Sequence, residues 1–421
     1  MVNQLDKMRK KGLDYLNAAY GEEAVETAIG YVTNLKVEVP GWQFWAGFGG
    51  GGRFEGGNSG GAARNTLEIA EDAGLVYKLT NATPWVGQHI LWFLSTDGLE
   101  GDVDKAQDVL LELEENGVKM GSISPTYFLK GSEDGSLSPL DPKTMGRYID
   151  HTVLGAKFAA KFSDNHLLTL WLPDGTLYPG QRDLDEKVEL VNTSLATVAS
   201  RVKPNVLKQI RVLTEYKVFE PGTFSTTIPD WGTAYALSQN FGKSGGVLVD
   251  LGHHHHSVNI GQIVSTMITF GIMGGFHFNK RYAADDDHSC QADYELAQIF
   301  DALVKRDALY NKDQSHNWTL ALDQMARTEE RIPSILKSID ALQLSVAKPA
   351  LLNRGKLREY QEVRNLINAN VEYERALLHA DTRPIVMEAY HKQGLHPVPM
   401  VAYAQSGYQK RIGQERAKPL K

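Results

Sequence analysis

Eight short apolar runs, each separated from the next by a longer stretch, constrain the fold of this chain more than any other feature. They are KVEV (36–39), VGQHILWF (86–93), VKMGSIS (118–124), LLTLWL (167–172), IRVLTEY (210–216), GVLVDL (246–251), GGFHF (274–278) and WTLAL (318–322). Between them lie amphipathic helical patterns such as 62–80, 104–117, 189–202 and 259–271. Most runs are continuously apolar rather than alternating, as strands covered on both faces must be. Strand and helix alternating eight times predicts an α/β fold, a (β/α)8 TIM barrel, with an open doubly wound sheet as the competing architecture.

Two amphipathic helices, around 5–19 and 22–35 and broken at Gly21, precede the first strand. A mainly helical tail follows about residue 345, too long to be the last barrel helix. This divides the chain into a catalytic barrel with its N-terminal helices (1–345) and a helical extension (346–421). The extension is expected to serve oligomerisation by packing on another subunit; the alternative is that it wraps its own barrel.

The 421 residues are 42% apolar, enough for a large core, and the net charge of −7 is interspersed along the chain. That pattern gives no electrostatic footprint for nucleic acid or an anionic membrane. No apolar run approaches the roughly 20 residues of a membrane span, and no apolar segment behind Met1 suggests a signal peptide. The single cysteine, Cys290, excludes an intrachain disulfide framework and fits a reducing cytoplasm.

In a barrel, polar residues at the carboxyl ends of strands face the catalytic mouth. Here those ends carry His89 and Trp92, Trp171, Glu215 with Lys217 beyond, Asp250 with His253 after it, His277, and Asp323. Asp285 and Asp287 lie in the loop after the seventh run. A single strand-end aspartate is more often a helix N-cap. So many carboxylates at one mouth repel one another unless cations neutralise them, and mixed carboxylates and imidazoles suit Mn²⁺, Co²⁺ or Zn²⁺ rather than Ca²⁺. One partition has Glu215, Asp250, His277 and Asp323 holding one ion, and Glu215, His253, Asp285 and Asp287 a second, with Glu215 bridging. Of the histidines from His253 to His256, His255 and His256 read as loop surface.

Other motifs carry less. Gly47 to Gly52 matches GxGxxG, but the glycine-rich stretch runs from Gly41 to Gly61, too long for a dinucleotide turn; it reads as a βα loop over the active site. Asp285 to Asp287 lacks the central glycine and closing glutamate of an EF-hand. Nothing calls for Cys290 as a nucleophile. Trp42, Phe44, Trp45, Phe48, Trp92 and Trp171 are either core or apolar faces for a sugar.

At these residues the chain resembles the L-rhamnose isomerase family, in its bacterial branch with broad aldose–ketose activity. The matching segments are LTNATPWVGQHILW, LWLPDGTLYPGQRDL, TEYKVFEPGTFSTTIPDWG, VDLGHHHHSVNI, GGFHFNKRYAADDD and ALDQ, spread over residues 79–324. The resemblance implies a (β/α)8 barrel, two Mn²⁺-type ions per subunit and a homotetramer assembled through the helical extensions. It carries over the two metal sets given above, Lys217, and the substrate-facing His89, Trp92 and Trp171. The chain departs from the family pattern at His89-Ile-Leu-Trp-Phe93, where the family has His-Ile-Pro-Trp-Asp. It departs again at Gln324-Met325-Ala326-Arg327, at the insertion 46–61 and at His254–His256. The metal ligands are intact, so these changes bear on sugar preference.

The expected function is metal-dependent aldose–ketose isomerisation of a small monosaccharide, L-rhamnose to L-rhamnulose with broad tolerance, by hydride transfer between C1 and C2. Lys217 would help polarise O1 and O2, Asp287 or Asp323 would stand near the hydroxyl proton, and His89 would assist ring opening. An enediol route with a carboxylate base is the chemical alternative. The competing function is a two-metal barrel hydrolase such as a phosphodiesterase. Its phosphate would need cations, for which Lys217, Arg53 and Arg182 are the candidates. A non-enzymatic sugar-binding barrel would have no use for a complete ligand set.

Overall fold

The computed structural model describes residues 2–45, 60–93, 101–220, 223–282, 285–310, 318–325 and 329–419. Eight parallel strands close into a barrel: β1 (Glu38–Pro40), β2 (Trp85–His89), β3 (Lys119–Ser124), β4 (Leu167–Leu170), β5 (Arg211–Glu215), β6 (Gly245–Asp250), β7 (Gly274–Phe278) and β8 (Thr319–Leu322). Each pairs with its neighbours in sequence, and β8 closes onto β1 through Glu38 and Ala321. Helices Thr66–Thr80, Val103–Glu115, Pro142–Phe162, Leu184–Arg201, Trp231–Ser238, Ile260–Thr269, Tyr294–Lys305 and Arg331–Val346 follow the strands in turn. This is the (β/α)8 barrel that the sequence alternation predicts, and each of the eight apolar runs overlaps a barrel strand.

Two runs outlast their strands by two residues or more. Pairing of β2 with β3 ends at His89 and Ser124, and Ile90–Phe93 coils into a 3₁₀ turn, so Trp92 stands on that turn and not on the strand. The β4–β5 ladder ends at Leu170 and Thr214, which leaves Trp171 just past it.

Leu167, Leu213 and Leu248 pack together with Met273 as a separate apolar layer. Gly275 fits beside them because a Cβ there would lie 2.6 Å from Leu213 Cδ1. The period of two along a strand then puts Thr169, Glu215, Asp250 and His277 on the same inner face, one step nearer the carboxyl-terminal rim. At the opposite end Glu38 is buried, its carboxylate accepting from Ser122 N at 2.8 Å and Asn165 Nδ2 at 2.7 Å. Burial raises its pKa.

Six other loop residues, Asn65, Asp102, Asp141, Asp230, Asn259 and Asp293, accept a backbone N–H at the start of the following helix. They are the caps that a single acidic or amide residue before a helix most often makes.

The N-terminal helices are Val2–Tyr20 and Glu22–Asn34, broken at Gly21, whose φ of 92° suits glycine. The tail forms helices Arg354–Glu362, Leu366–Leu377, Arg383–Lys392, Pro399–Ser406 and Tyr408–Arg416. It packs against its own chain. Arg9 pairs with Glu388, Lys392 Nζ lies 2.8 Å from Glu26, and Tyr20 OH donates to Arg375 O at 2.8 Å. Tyr408 and Arg416 reach Asp72 on the helix after β1.

Candidate metal centre

Four barrel strands deliver one cluster. Glu215 ends β5, Asp250 ends β6, His277 lies within β7 opposite Asp250 in register, and Asp323 follows β8. Each offers one ligand atom, and these atoms all lie within 4.8 Å of one another. Glu215, Asp250 and His277 are buried and Asp323 is half-buried. His277 Nδ1 stands 3.2 Å from Glu215 Oε1 and 3.6 Å from Asp323 Oδ2. Asp323 is held from two sides: its N–H extends the ladder to Phe278 O at 3.0 Å, and its Oδ1 accepts from Trp42 Nε1 at 2.8 Å.

The electrostatics of the cluster favour a bound cation. Burial alone would drive the His277 pKa down, but the Glu215 carboxylate, with Asp323 and Asp250 behind it, outweighs burial and holds it up at about 10. Burial raises the Asp323 pKa despite the nearby imidazolium. Glu215 goes the other way: burial would raise its pKa, but His277, His253 and Lys217 lower it. One proton on His277 is thus retained against desolvation to offset several carboxylates. A divalent cation would supply that charge and displace the proton, and three carboxylates with one imidazole form a donor set that such an ion accepts. The residues fit a metal.

His253 approaches the same cluster. Its Nδ1 lies 3.3 Å from Glu215 Oε1 and 2.9 Å from Tyr216 O. A carbonyl only accepts, so Nδ1 carries a proton, which leaves Nε2 as the nitrogen that could face a metal ion. Asp287 is half-buried on the hairpin formed by Lys280–Tyr282 and Asp285–His288, where its carbonyl accepts from Met325 N at 3.1 Å. The Asp285 backbone belongs to that hairpin, but its side chain lies outside the described residues. Of the second expected ligand set, therefore, the structure brings Glu215 and His253 together. His254 is buried against Tyr216, whose hydroxyl is 2.7 Å from His254 Nε2, while His255 and His256 are exposed.

Aromatic rings stand beside the cluster. His89 meets Trp42, Phe128 and Trp92 edge-on at centroid distances of 5.1, 5.6 and 6.1 Å. Its Nδ1 is 3.1 Å from Thr126 Oγ1, and burial lowers its pKa to about 3, so the ring is neutral. Trp92 stacks on Trp45 at 5.5 Å. Phe128 reaches Trp171 at 6.0 Å, and Lys217 Nζ lies 5.9 Å from the Trp171 ring and 2.6 Å from Glu220 Oε2.

Several expectations resolve elsewhere. Phe44 is core, and Cys290 is buried with its thiol pushed up to about 12. Arg182 is tied to Asp134 and Glu186 at 3.1 Å each. Phe48, Arg53 and the stretch 46–59 lie outside the described residues. Sequence reasoning missed Thr126, Phe128, Tyr216 and Asn279. Asn279 carried a usable signal, because it lies two residues beyond His277, where the period of two continued past the strand end puts it on the same side.

Comparison with known proteins agrees with this geometry. A solved L-ribulose 3-epimerase superposes with a TM-score of 0.52 at 13% identity, covering 78% of this chain and 98% of that one, which speaks to the fold alone. A probable sugar isomerase of Rhizobium meliloti (strain 1021) is 31% identical over 98% of this chain and 91% of that protein. An L-rhamnose isomerase of Bacteroides thetaiotaomicron is 25% identical over 77% of this chain and 76% of that protein. The model of the family described as L-rhamnose isomerase (RhaA) matches residues 10–387. A match spanning most of the chain, on a closed barrel with acidic and imidazole side chains gathered at its mouth, shows that this chain belongs to the L-rhamnose isomerase family.

Proposed function

We propose that the chain interconverts an aldose and its ketose, with L-rhamnose and L-rhamnulose as the main pair and related sugars tolerated, using two divalent ions, Mn²⁺ foremost. The observation that carries this reading is the gathering of Glu215, Asp250, His277 and Asp323 within 4.8 Å in a member of a sugar isomerase family. Those four would hold one ion, and Glu215, His253, Asp285 and Asp287 the other. When bound, the ions would polarise the sugar's O1 and O2 and offset the charge that develops as hydrogen passes between C1 and C2.

The chain's own groups do the rest. Trp92, Trp171 and Phe128 give a sugar ring apolar faces and exclude water. His89, neutral through burial, would assist ring opening by accepting a hydrogen bond from the anomeric hydroxyl. Lys217, held over Trp171 by Glu220, adds fixed positive charge at O1, while Asp287 or Asp323 would take the proton from the O2 hydroxyl and return it to O1 once the hydride has moved. The reading is that of an enzyme of cytoplasmic sugar metabolism; among the described residues no helix is long and apolar enough to cross a membrane. Val363, Leu366 and Ile367 stand exposed on the tail, which supports assembly with further copies, a tetramer in this reading.

The test is to strip the protein with a chelator, add back Mn²⁺ or Co²⁺, and assay L-rhamnose, L-mannose, L-lyxose and D-allose. Ketose is expected from L-rhamnose only in reloaded samples, with no solvent deuterium at the transferred position when run in D₂O. Ketose from none of the aldoses with either metal would refute the reading; solvent label at that position would replace the hydride route by an enediol.

A further inference from the structure

Asn279 stands immediately beyond β7, and its side-chain amide joins the two strand ends at the centre of the cluster. Its Nδ2 lies 3.0 Å from both Asp250 oxygens, and its Oδ1 accepts from Gly252 N at 2.8 Å. The amide has only one workable orientation, since a carboxylate only accepts and a backbone N–H only donates. Asn279 is 2% exposed and Asp250 is fully buried, so neither can exchange these bonds for water. His253 N adds a contact of 3.2 Å to Asp250 Oδ1.

We propose that Asn279 is the positioning residue of the metal centre: it sets the plane of the Asp250 carboxylate and, through Gly252, the turn that carries His253. The proposal rests on the metal reading above. The geometry gives it two consequences. With Nδ2 3.0 Å from both Asp250 oxygens, the carboxylate is held with an oxygen within 4.8 Å of the ligand atoms of Glu215, His277 and Asp323. And because the same amide holds Gly252, a ligand from each proposed site is fixed by one side chain. Partners that orient ligands in this way alter metal affinity by roughly 10–100-fold when removed, although they touch no metal.

The experiment uses the full chain freed of metal, titrated with Mn²⁺ while the free ion is followed by electron paramagnetic resonance, and with Co²⁺ followed by visible absorption. Asn279→Ala is expected to weaken Mn²⁺ binding about 10–100-fold and to change the Co²⁺ spectrum. Asn279→Asp keeps the shape and the acceptor for Gly252 N but loses the donor to Asp250, so its Co²⁺ spectrum is also expected to change. It carries the test if the alanine variant does not fold. A lowered melting point with wild-type Mn²⁺ affinity and an unchanged Co²⁺ spectrum would make Asn279 a merely structural staple and overturn the proposal. If the wild-type protein itself binds neither ion, it is the metal reading that fails, and the two failures are distinguishable.

Discussion

Asp323→Ala is expected to lower turnover of the metal-loaded protein by about 10²–10³-fold, the range for removing one group from a preorganised charge-stabilising site. Asp323 is one of four donors in the cluster, and alanine offers no replacement. The fold is expected to survive. The lost bond from Trp42 Nε1 costs about 1–3 kcal/mol at a half-buried position. Against this, removing a carboxylate that burial already resists ionising relieves repulsion with Glu215. Turnover, Mn²⁺ affinity and a thermal melt on one preparation separate the two effects. Wild-type turnover in the variant would remove Asp323 from the site.

Asp72→Ala is expected to destabilise the protein by about 3–5 kcal/mol without touching the cluster, the usual result of leaving a buried cation, here Arg331, without its carboxylate. Asp72 Oδ2 accepts from Arg331 Nε and Arg416 Nη1, each at 2.8 Å, and Oδ1 accepts from Tyr408 OH at 2.7 Å. Arg331 is among the most deeply buried side chains, so water cannot replace the carboxylate. Arg416 keeps Gly61 O at 2.7 Å and Glu71 at 3.2 Å, but both it and Tyr408 lose their bonds to Asp72, so the last helix should loosen from its seat as well. Urea unfolding measures the first effect and limited proteolysis of the tail the second. An unchanged urea midpoint with an intact tail would show that the network contributes little.

The barrel was legible because its signals are local. A run such as 246–251 shows its strand by continuous apolar character, and the inward step from Leu248 to Asp250 follows from a period of two. The gathering of Glu215, Asp250, His277 and Asp323 was legible for the same reason, since each ends or follows a strand of a fold whose strand ends converge. What stayed hidden depends on contacts distant in sequence. The run at 86–93 does not show that pairing stops at His89 and puts Trp92 on a turn. Thr126 and Asn279 are polar residues of a kind that usually cap or turn the chain, and only the closed barrel sets them against His89 and Asp250. The seat of the tail rests on Asp72 and Arg416, 344 residues apart, and no periodicity reports such a pair.

The most direct measurement is an anomalous difference map from a crystal of the protein soaked in Mn²⁺. The account predicts a peak enclosed by Glu215, Asp250, His277 and Asp323, with a second on the His253 side of Glu215. A map with no peak among those four side chains, from crystals of protein that isomerises sugars, would contradict it.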